Sequence, residues 1–242
     1  MNNSNDIRIP LNLSGTEGVR YETCPLTFGV PFADEALEKG TTVRIVDETG
    51  QPLPVQTQCL TTWNGDQKYV KWLLVDLQTD LSGDRDRPLF LEYPAKDNPP
   101  EPEHTICIEE TETTLCVDTG VMRLSFRRTF DIWRQPRNPD VFAGCQVKTE
   151  DGWHDIFRGH PGPFLYMKDQ AGNTYDSCSA GPAPQIVIEE AGPLRACVRI
   201  QGYHATAQGQ RFCPYTLRIH LFAGKSDLRI CHTFVYDQDP HA

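Results

Sequence analysis

The length and charge of this chain limit its domain number and its partners. Its 242 residues suffice for one large or two small domains. The formal net charge of -10 argues against nucleic acid and anionic membranes as partners, and no apolar run approaches the roughly 20 residues that cross a bilayer.

The first 95 residues predict about six strands and one short helix, a size that suits a small closed barrel. Short runs of β-branched and aromatic residues between frequent Pro and Gly are typical of an all-β protein. Asp34 is suited to cap a short helix within PFADEALEKG, which Gly40 would end. The predicted strands begin at the alternating residues 7–13 and continue at 26–30, 42–46, 55–60, 69–77 and 88–93.

The stretch 62–77, TWNGDQKYVKWLLVDL, joins a predicted turn to the longest apolar run of this half. Asn64-Gly65 favours a tight hairpin turn, because both central positions of a type I′ turn need a positive φ. The run after it is apolar on nearly both faces, which predicts a central, buried strand. Lys71 is the exception, and we expect its stem to pack on apolar surface in a structural role.

Residues 96–105 are rich in Pro and charge and predict a linker between a barrel at 1–95 and a second domain at 106–242. The second domain restarts with shorter predicted strands and ends in three long ones separated by short turns. These favour an antiparallel β-sandwich. Because the last strand lies so near residue 242, we expect the sandwich to be incomplete and the native protein to continue. The predicted strands are 105–108, 114–117, 121–126, 141–148, 164–167, 185–190, 194–204, 212–222 and 228–236.

The nine cysteines form no CxxC pair and no zinc-type spacing with histidine. Most lie in strand-like runs, where a free thiol behaves as a small buried hydrophobe. With no signal peptide at the N-terminus, this predicts a cytoplasmic protein with reduced thiols. A secreted protein whose signal is missing from this chain stays the alternative.

Six segments of the chain carry a family resemblance: LTFGVPFADEALEKG, VRIVDETGQPLPVQ, TTWNGDQKYVKWLLVDLQ, VDTGVMRLSF, EEAGPLRACVRIQGYH and TLRIHLFAGKSDLRICHTFVYDQDP. They resemble the exo-rhamnogalacturonan lyases, a family of polysaccharide lyases. The resemblance implies a small six-stranded RIFT-type barrel, a central β-sandwich, and a C-terminal α/α toroid that carries the lyase site and is absent here. No catalytic residue transfers to this chain, and we expect neither a metal nor a cofactor in it, although Ca²⁺ is possible in the full-length architecture.

An acidic sugar polymer would require a local cationic groove on a chain of such negative charge. Arg199, Arg218 and Arg229 would form a basic stripe if the last three strands are neighbours in register. Aromatic residues in the turn-rich region would offer rings for sugars to stack on. The candidate substrate-binding residues are Trp133, Arg134, Trp153, His154, Tyr166, Arg199, Arg218 and His220.

Two other clusters receive no chemical role from the sequence. His204, His220 and His232 fall on separate strands with no metal-site spacing. Glu189-Glu190 and Glu109-Glu110 are adjacent pairs, and we expect neighbours on a strand to point to opposite faces, which excludes an acid/base pair.

The sequence therefore predicts the non-catalytic N-terminal portion of a rhamnogalacturonan or pectin-type polysaccharide lyase. Its partners would be an acidic plant cell-wall polysaccharide or oligosaccharide and its own C-terminal catalytic domain, whose substrate groove it would support or extend. Two alternatives stay open: a stand-alone carbohydrate-binding module, and a scaffold or interaction protein without sugar affinity.

Overall fold

The chain divides into two compact units, Met1–Glu103 and His104–Ala242. The structure is a computed structural model, and it describes residues 7–65, 67–83, 86–128, 141–157, 165–177 and 183–237. Across these described ranges, no helix is long and apolar enough to cross a membrane.

Within its described residues, the first unit forms seven antiparallel strands. They are β1 (Ile7–Leu13), β2 (Arg20–Pro31), β3 (Arg44–Asp47), β4 (Pro52–Leu53), β5 (Val55–Thr62), β6 (Val70–Ser82) and β7 (Arg87–Tyr93). One sheet has the order β1-β7-β3-β4, and the other has the order β2-β6-β5. The predicted central strand is therefore central, because β6 pairs on both edges.

Both sheets of this unit contribute to one apolar core. Alternate residues of β6 point into it, because successive side chains of a strand face opposite sides, and they meet side chains from β3 and β7. Burial of these side chains is the main stabilising term of a small barrel. The core residues from these three strands include Ile45, Leu73, Val75, Leu77, Leu89 and Leu91.

The helix predicted within PFADEALEKG is wrong. Residues 32–40 form turns, and Glu35 has a φ of 64°, which interrupts a right-handed helix. Their backbone bonds instead to the segment before β6: Lys39 N donates to Lys68 O at 2.8 Å, and Val70 N donates to Leu37 O at 2.9 Å. A helix this short is marginal alone, so pairing across the barrel prevails over local capping signals.

The connection before β6 is longer than a two-residue hairpin turn. Asn64 and Gly65 do have positive φ angles, 53° and 68°, but they belong to a 3₁₀ turn, Trp63–Gly65, and Trp63 N still donates to Tyr69 O at 2.9 Å. Trp63 fixes this connection, since its Nε1 donates to Phe32 O at 3.0 Å. The Lys71 ammonium lies 4.5 Å from the Trp63 ring centroid, a cation–π contact. Trp63 and Lys71 thus stabilise one another within the fold.

The described part of the second unit forms two antiparallel sheets. The five-stranded sheet has the order β12-β11-β10-β9-β8; in the six-stranded sheet the order is β13-β14-β16-β17-β18, and β15 also pairs with β16. The strands are β8 (Cys107–Glu110), β9 (Thr114–Asp118), β10 (Met122–Arg127), β11 (Phe142–Thr149), β12 (Gly152–Phe157), β13 (Tyr166–Lys168), β14 (Thr174–Asp176), β15 (Gln185–Ala191), β16 (Arg195–Ala205), β17 (Arg211–Phe222) and β18 (Leu228–Phe234).

The two sheets share one core, which makes this unit a β-sandwich and confirms the predicted all-β class. Val198 and Ile200 of β16 and Leu217 of β17 have 0–1% of their surface exposed. They pack with Leu124 and Phe126 of β10, in the other sheet. The residues between them on β16 and β17 must therefore face away from the core.

Candidate functional site

The outer face of the six-stranded sheet is the side of β15–β18 directed away from the sandwich core. The long strands β16 and β17 pair in one register from Arg195 to Tyr203, and Arg199 lies directly opposite Arg218. Cys231 of β18 is the next residue along this row, and Arg229 lies opposite His220 in the neighbouring row. The structure therefore brings Arg199, Arg218 and His220 together, and Arg229 with them.

Glu189 links the two arginines of the first row. Its carboxylate accepts two hydrogen bonds from Arg218, at 2.6 Å from Nε and 3.0 Å from Nη2. Arg199 Nε lies 3.7 Å from the same carboxylate. The hydrogen bonds from Arg218, together with its charge, lower the pKa of Glu189, so the carboxylate stays ionised at neutral pH.

The expectation that Glu189 and Glu190 point to opposite faces is wrong. A register shift between Ile188 and Glu190 marks a β-bulge, where the ladder accommodates one extra residue. Both carboxylates then reach the outer face, Glu189 toward Arg218 and Glu190 toward Arg195. Strand periodicity alone misses this, and the only local signal is the strand end before Gly192-Pro193.

Arg195 is the most buried charge of the face. Its side chain is 5% exposed, it forms an ion pair with Glu190, and its Nη1 lies 3.0 Å from His220 Nδ1. An arginine can only donate, so His220 accepts at Nδ1. Burial lowers the pKa of His220, and the neighbouring charge of Arg195 lowers it further. His220 is therefore neutral at physiological pH.

The face carries a local positive charge on an acidic chain. Among the described residues around Glu189 and Glu190, four arginines stand against these two glutamates, leaving a local net charge of about +2, whereas the whole chain has -10. Arg199 has weaker polar contacts than Arg218, the other arginine in its row. Within the described residues its buried Nε has no hydrogen-bond partner, and its side chain is 29% exposed. The charge of Arg199 is thus less neutralised than that of Arg218.

Cys197 lies directly opposite His220 across β16 and β17, which resembles a nucleophile beside a base. The thiol is buried, and burial together with the charges of Glu189 and Glu190 raises the pKa of Cys197 to about 12. A thiol that stays protonated is neither a nucleophile nor a metal ligand. The arrangement supports binding rather than covalent catalysis.

The other candidate residues that the structure describes, Trp153, His154 and Tyr166, lie away from the arginine rows. Trp153 lies on the five-stranded sheet, where the Arg123 guanidinium covers its ring at 4.0 Å and donates to Asp118 at 2.7 Å. His154, its neighbour on the same strand, is exposed at that sheet's edge and lies opposite Val147. One side of the Trp153 ring is therefore already occupied by protein.

Tyr166 is 67% exposed on β13, separated by β14 from the strands of the basic rows. Trp133 and Arg134 lie outside the described residues. The sequence grouped eight candidates together, and the outer face brings together three of them: Arg199, Arg218 and His220.

The three histidines considered as metal ligands are divided between the two sides of the sheet. His220 is on the outer face, whereas His204 and His232 have ring centroids 6.3 Å apart beside the core residue Tyr215. In the ranges that the structure describes, no group of three or more His, Cys, Asp or Glu side chains is arranged to hold a metal ion. The eight described cysteines are free thiols.

Comparison with known proteins defines the class to which this architecture belongs. A family model for the PcRGLX-like N-terminal RIFT barrel domain matches residues 12–78, and one for the PcRGLX-like protein central beta sandwich domain matches residues 106–242. The chain is therefore a RIFT barrel followed by a central β-sandwich, as the resemblance to rhamnogalacturonan lyases implied. It belongs to the PcRGLX-like family.

A curated relative of this chain is a much longer protein. The "Uncharacterized protein YetA" of Bacillus subtilis (strain 168) is 23% identical over 221 residues, which cover 89% of this chain and 24% of that protein. The present chain thus spans about a quarter of the relative's length.

Proposed function

We propose that this chain is the non-catalytic barrel-and-sandwich portion of a polysaccharide lyase of the rhamnogalacturonan or pectin type. In this proposal the outer face binds the carboxylates of an acidic polysaccharide and extends the substrate groove of a C-terminal catalytic domain. The observation that carries it is the weakly engaged Arg199 on a face of net charge about +2.

Geometry supports Arg199 as the main anchor. Arg218 donates two hydrogen bonds to Glu189, whereas Arg199, among the residues that the structure describes, makes one long ion-pair contact of 3.7 Å. A sugar carboxylate could therefore take paired hydrogen bonds from Arg199 without first displacing a strong partner. Charge-assisted pairs of this kind are among the stronger polar contacts in proteins.

The test is binding of oligogalacturonides to the 242-residue chain, measured by calorimetry at low and physiological salt. Arg199→Gln should weaken binding by about tenfold, which corresponds to roughly 1.4 kcal/mol and is at the low end for a hydrogen bond to a charged group. Glu189→Gln should strengthen binding, because it removes the competing carboxylate. Wild-type affinity should fall as salt rises.

The matched control is Arg128→Gln. Arg128 is likewise a partly exposed arginine paired with a glutamate, Glu110, but it belongs to the other sheet. Its replacement should leave binding unchanged. Equal affinities of wild type, Arg199→Gln and Glu189→Gln would show that the outer face does not bind acidic sugar.

An interaction role without sugar affinity is the second candidate. It is favoured by the exposed apolar end of the chain, where Ile230, Phe234, Val235 and Tyr236 are 44–58% exposed. Exposed patches of this kind mark contact surfaces. Concentration-dependent self-association that Phe234→Ser abolishes, together with no oligogalacturonide binding, would favour this role over the first.

A further inference from the structure

A depression of about 380 Å³ lies on the outer face beside the basic rows. Every described residue that lines it is uncharged. Its volume is near the lower end of the range for small-molecule sites, about 300–1,000 Å³. Six of the residues that line it are Gln185, Gln201, Tyr203, Thr216, Thr233 and Val235.

The floor of the depression is one transverse row of the sheet. The register aligns Gln185, Gln201, Thr216 and Thr233 across β15, β16, β17 and β18. Gln201 Nε2 donates to Thr216 Oγ1 at a long 3.4 Å. Two amides and two hydroxyls thus stand side by side, and together they both donate and accept hydrogen bonds.

The wall of the depression is apolar. Tyr203 and Val235 are 43% and 58% exposed, and Pro214 lies opposite Tyr203 on β17. The guanidinium of Arg211 lies 5.2 Å from the Tyr203 ring centroid, and this contact restrains the ring. The site therefore combines an aromatic and aliphatic wall with a floor of neutral polar groups.

We propose that this depression binds an uncharged pyranose residue. A pyranose has hydroxyls on adjacent carbons, which need neutral donors and acceptors, and a C–H face, which packs on an aromatic ring. A phosphate or carboxylate finds no cation among the lining residues. A wholly apolar ligand would displace water from the two amides and would offer no hydrogen bonds in place of those that the amides make to water.

This site is distinct from the anion site at Arg199. The floor row and the arginine row are two residues apart along each strand, which is about 7 Å. The neutral site does not depend on the proposed function, because its contacts involve no charge. Binding there should therefore be insensitive to salt, unlike binding of an acidic sugar.

The experiment titrates the full chain with a panel of uncharged methyl pyranosides and records side-chain amide and methyl signals by NMR. At least one pyranoside should shift the amides of Gln185 and Gln201, with a dissociation constant on the order of 1 mM for so small a ligand. Gln201→Ala and Thr216→Val should each weaken this binding at least about fivefold, the ratio expected when one neutral hydrogen bond is lost.

Gln146→Ala is the matched control, since Gln146 is also an interstrand glutamine whose amide donates to a neighbour, Asp155, but on the other sheet. It should leave pyranoside binding unchanged. Arg199→Gln should also leave pyranoside binding unchanged, so the proposals for the anion site and for the neutral site are tested separately. If no pyranoside shifts the two amides, or if the affinity persists in folded Gln201→Ala and Thr216→Val proteins, the proposal is overturned.

Discussion

Replacing Arg195 by Met tests whether the buried ion pair maintains the outer face. The arginine side chain is 5% exposed and that of its partner Glu190 is 13% exposed. Methionine keeps much of the aliphatic volume but removes the charge. Glu190 would then lie at a mostly buried position without its arginine, and His220 would lose the donor at its Nδ1.

The expected cost follows from this burial. Removing one partner of a buried pair costs roughly 3–5 kcal/mol, because the remaining charge is desolvated without compensation. An exposed pair is worth at most about 1 kcal/mol. At roughly 2–4 °C for each kcal/mol in a chain of this size, Arg195→Met should lower the unfolding midpoint by about 10 °C.

Urea denaturation and calorimetry measure this loss, and hydrogen exchange locates it in β15–β17. The control Arg128→Met removes the partly exposed Arg128–Glu110 pair and should cost less than about 1 kcal/mol. The double variant Arg195→Met with Glu190→Gln should recover part of the loss, because it also removes the carboxylate charge that Arg195 stabilises. If Arg195→Met costs no more than Arg128→Met, the pair does not stabilise the face and the reasoning is refuted.

Two further predictions concern pH and a buried hydroxyl. Burial lowers the pKa of His220 and of His232 in the folded protein, so the unfolded chain binds more protons. The stabilisation that these two neutral histidines provide should be complete above about pH 6.5, and it should be lost as the pH drops toward their folded pKa values. If the free energy of unfolding depends on pH in His220→Gln as it does in the wild type, His220 does not contribute to this loss. Thr119 is 0% exposed, and its Oγ1 donates to Lys225 O at 2.8 Å and accepts from Met122 N at 3.0 Å. Thr119→Val should cost about 1–3 kcal/mol in urea denaturation, and a cost within error of zero would show that the hydroxyl is dispensable.

The long strands could be predicted from the sequence because their apolar residues alternate without interruption. Residues 194–204 and 212–222 coincide closely with β16 and β17, and alternation alone places Arg199 and Arg218 on one face. Such strands specify their register strongly, since a slip of one residue would expose the whole buried set.

The features that escaped prediction depend on contacts distant in sequence. The segment around Glu35 has helical composition but pairs its backbone with the loop before β6. The short strands β12 and β14 escape prediction because their sequences show no clear alternation of apolar and polar residues. The bulge at Glu189 exists only relative to β16, and without it neither the Glu189–Arg218 contact nor the Glu190–Arg195 contact follows.

That bulge is what converts a generic sandwich sheet into a surface with two chemically different rows. A regular strand would leave one glutamate on the core side and one outside, so one arginine would lack its carboxylate. With both carboxylates outside, Arg195 and Arg218 are neutralised and Arg199 keeps a weakly engaged guanidinium. The next row, at Gln201 and Thr216, carries no charge at all. Charge substitutions and neutral substitutions on this one face should therefore change two separate affinities, and measuring both separates an acidic-polysaccharide role from general sugar binding.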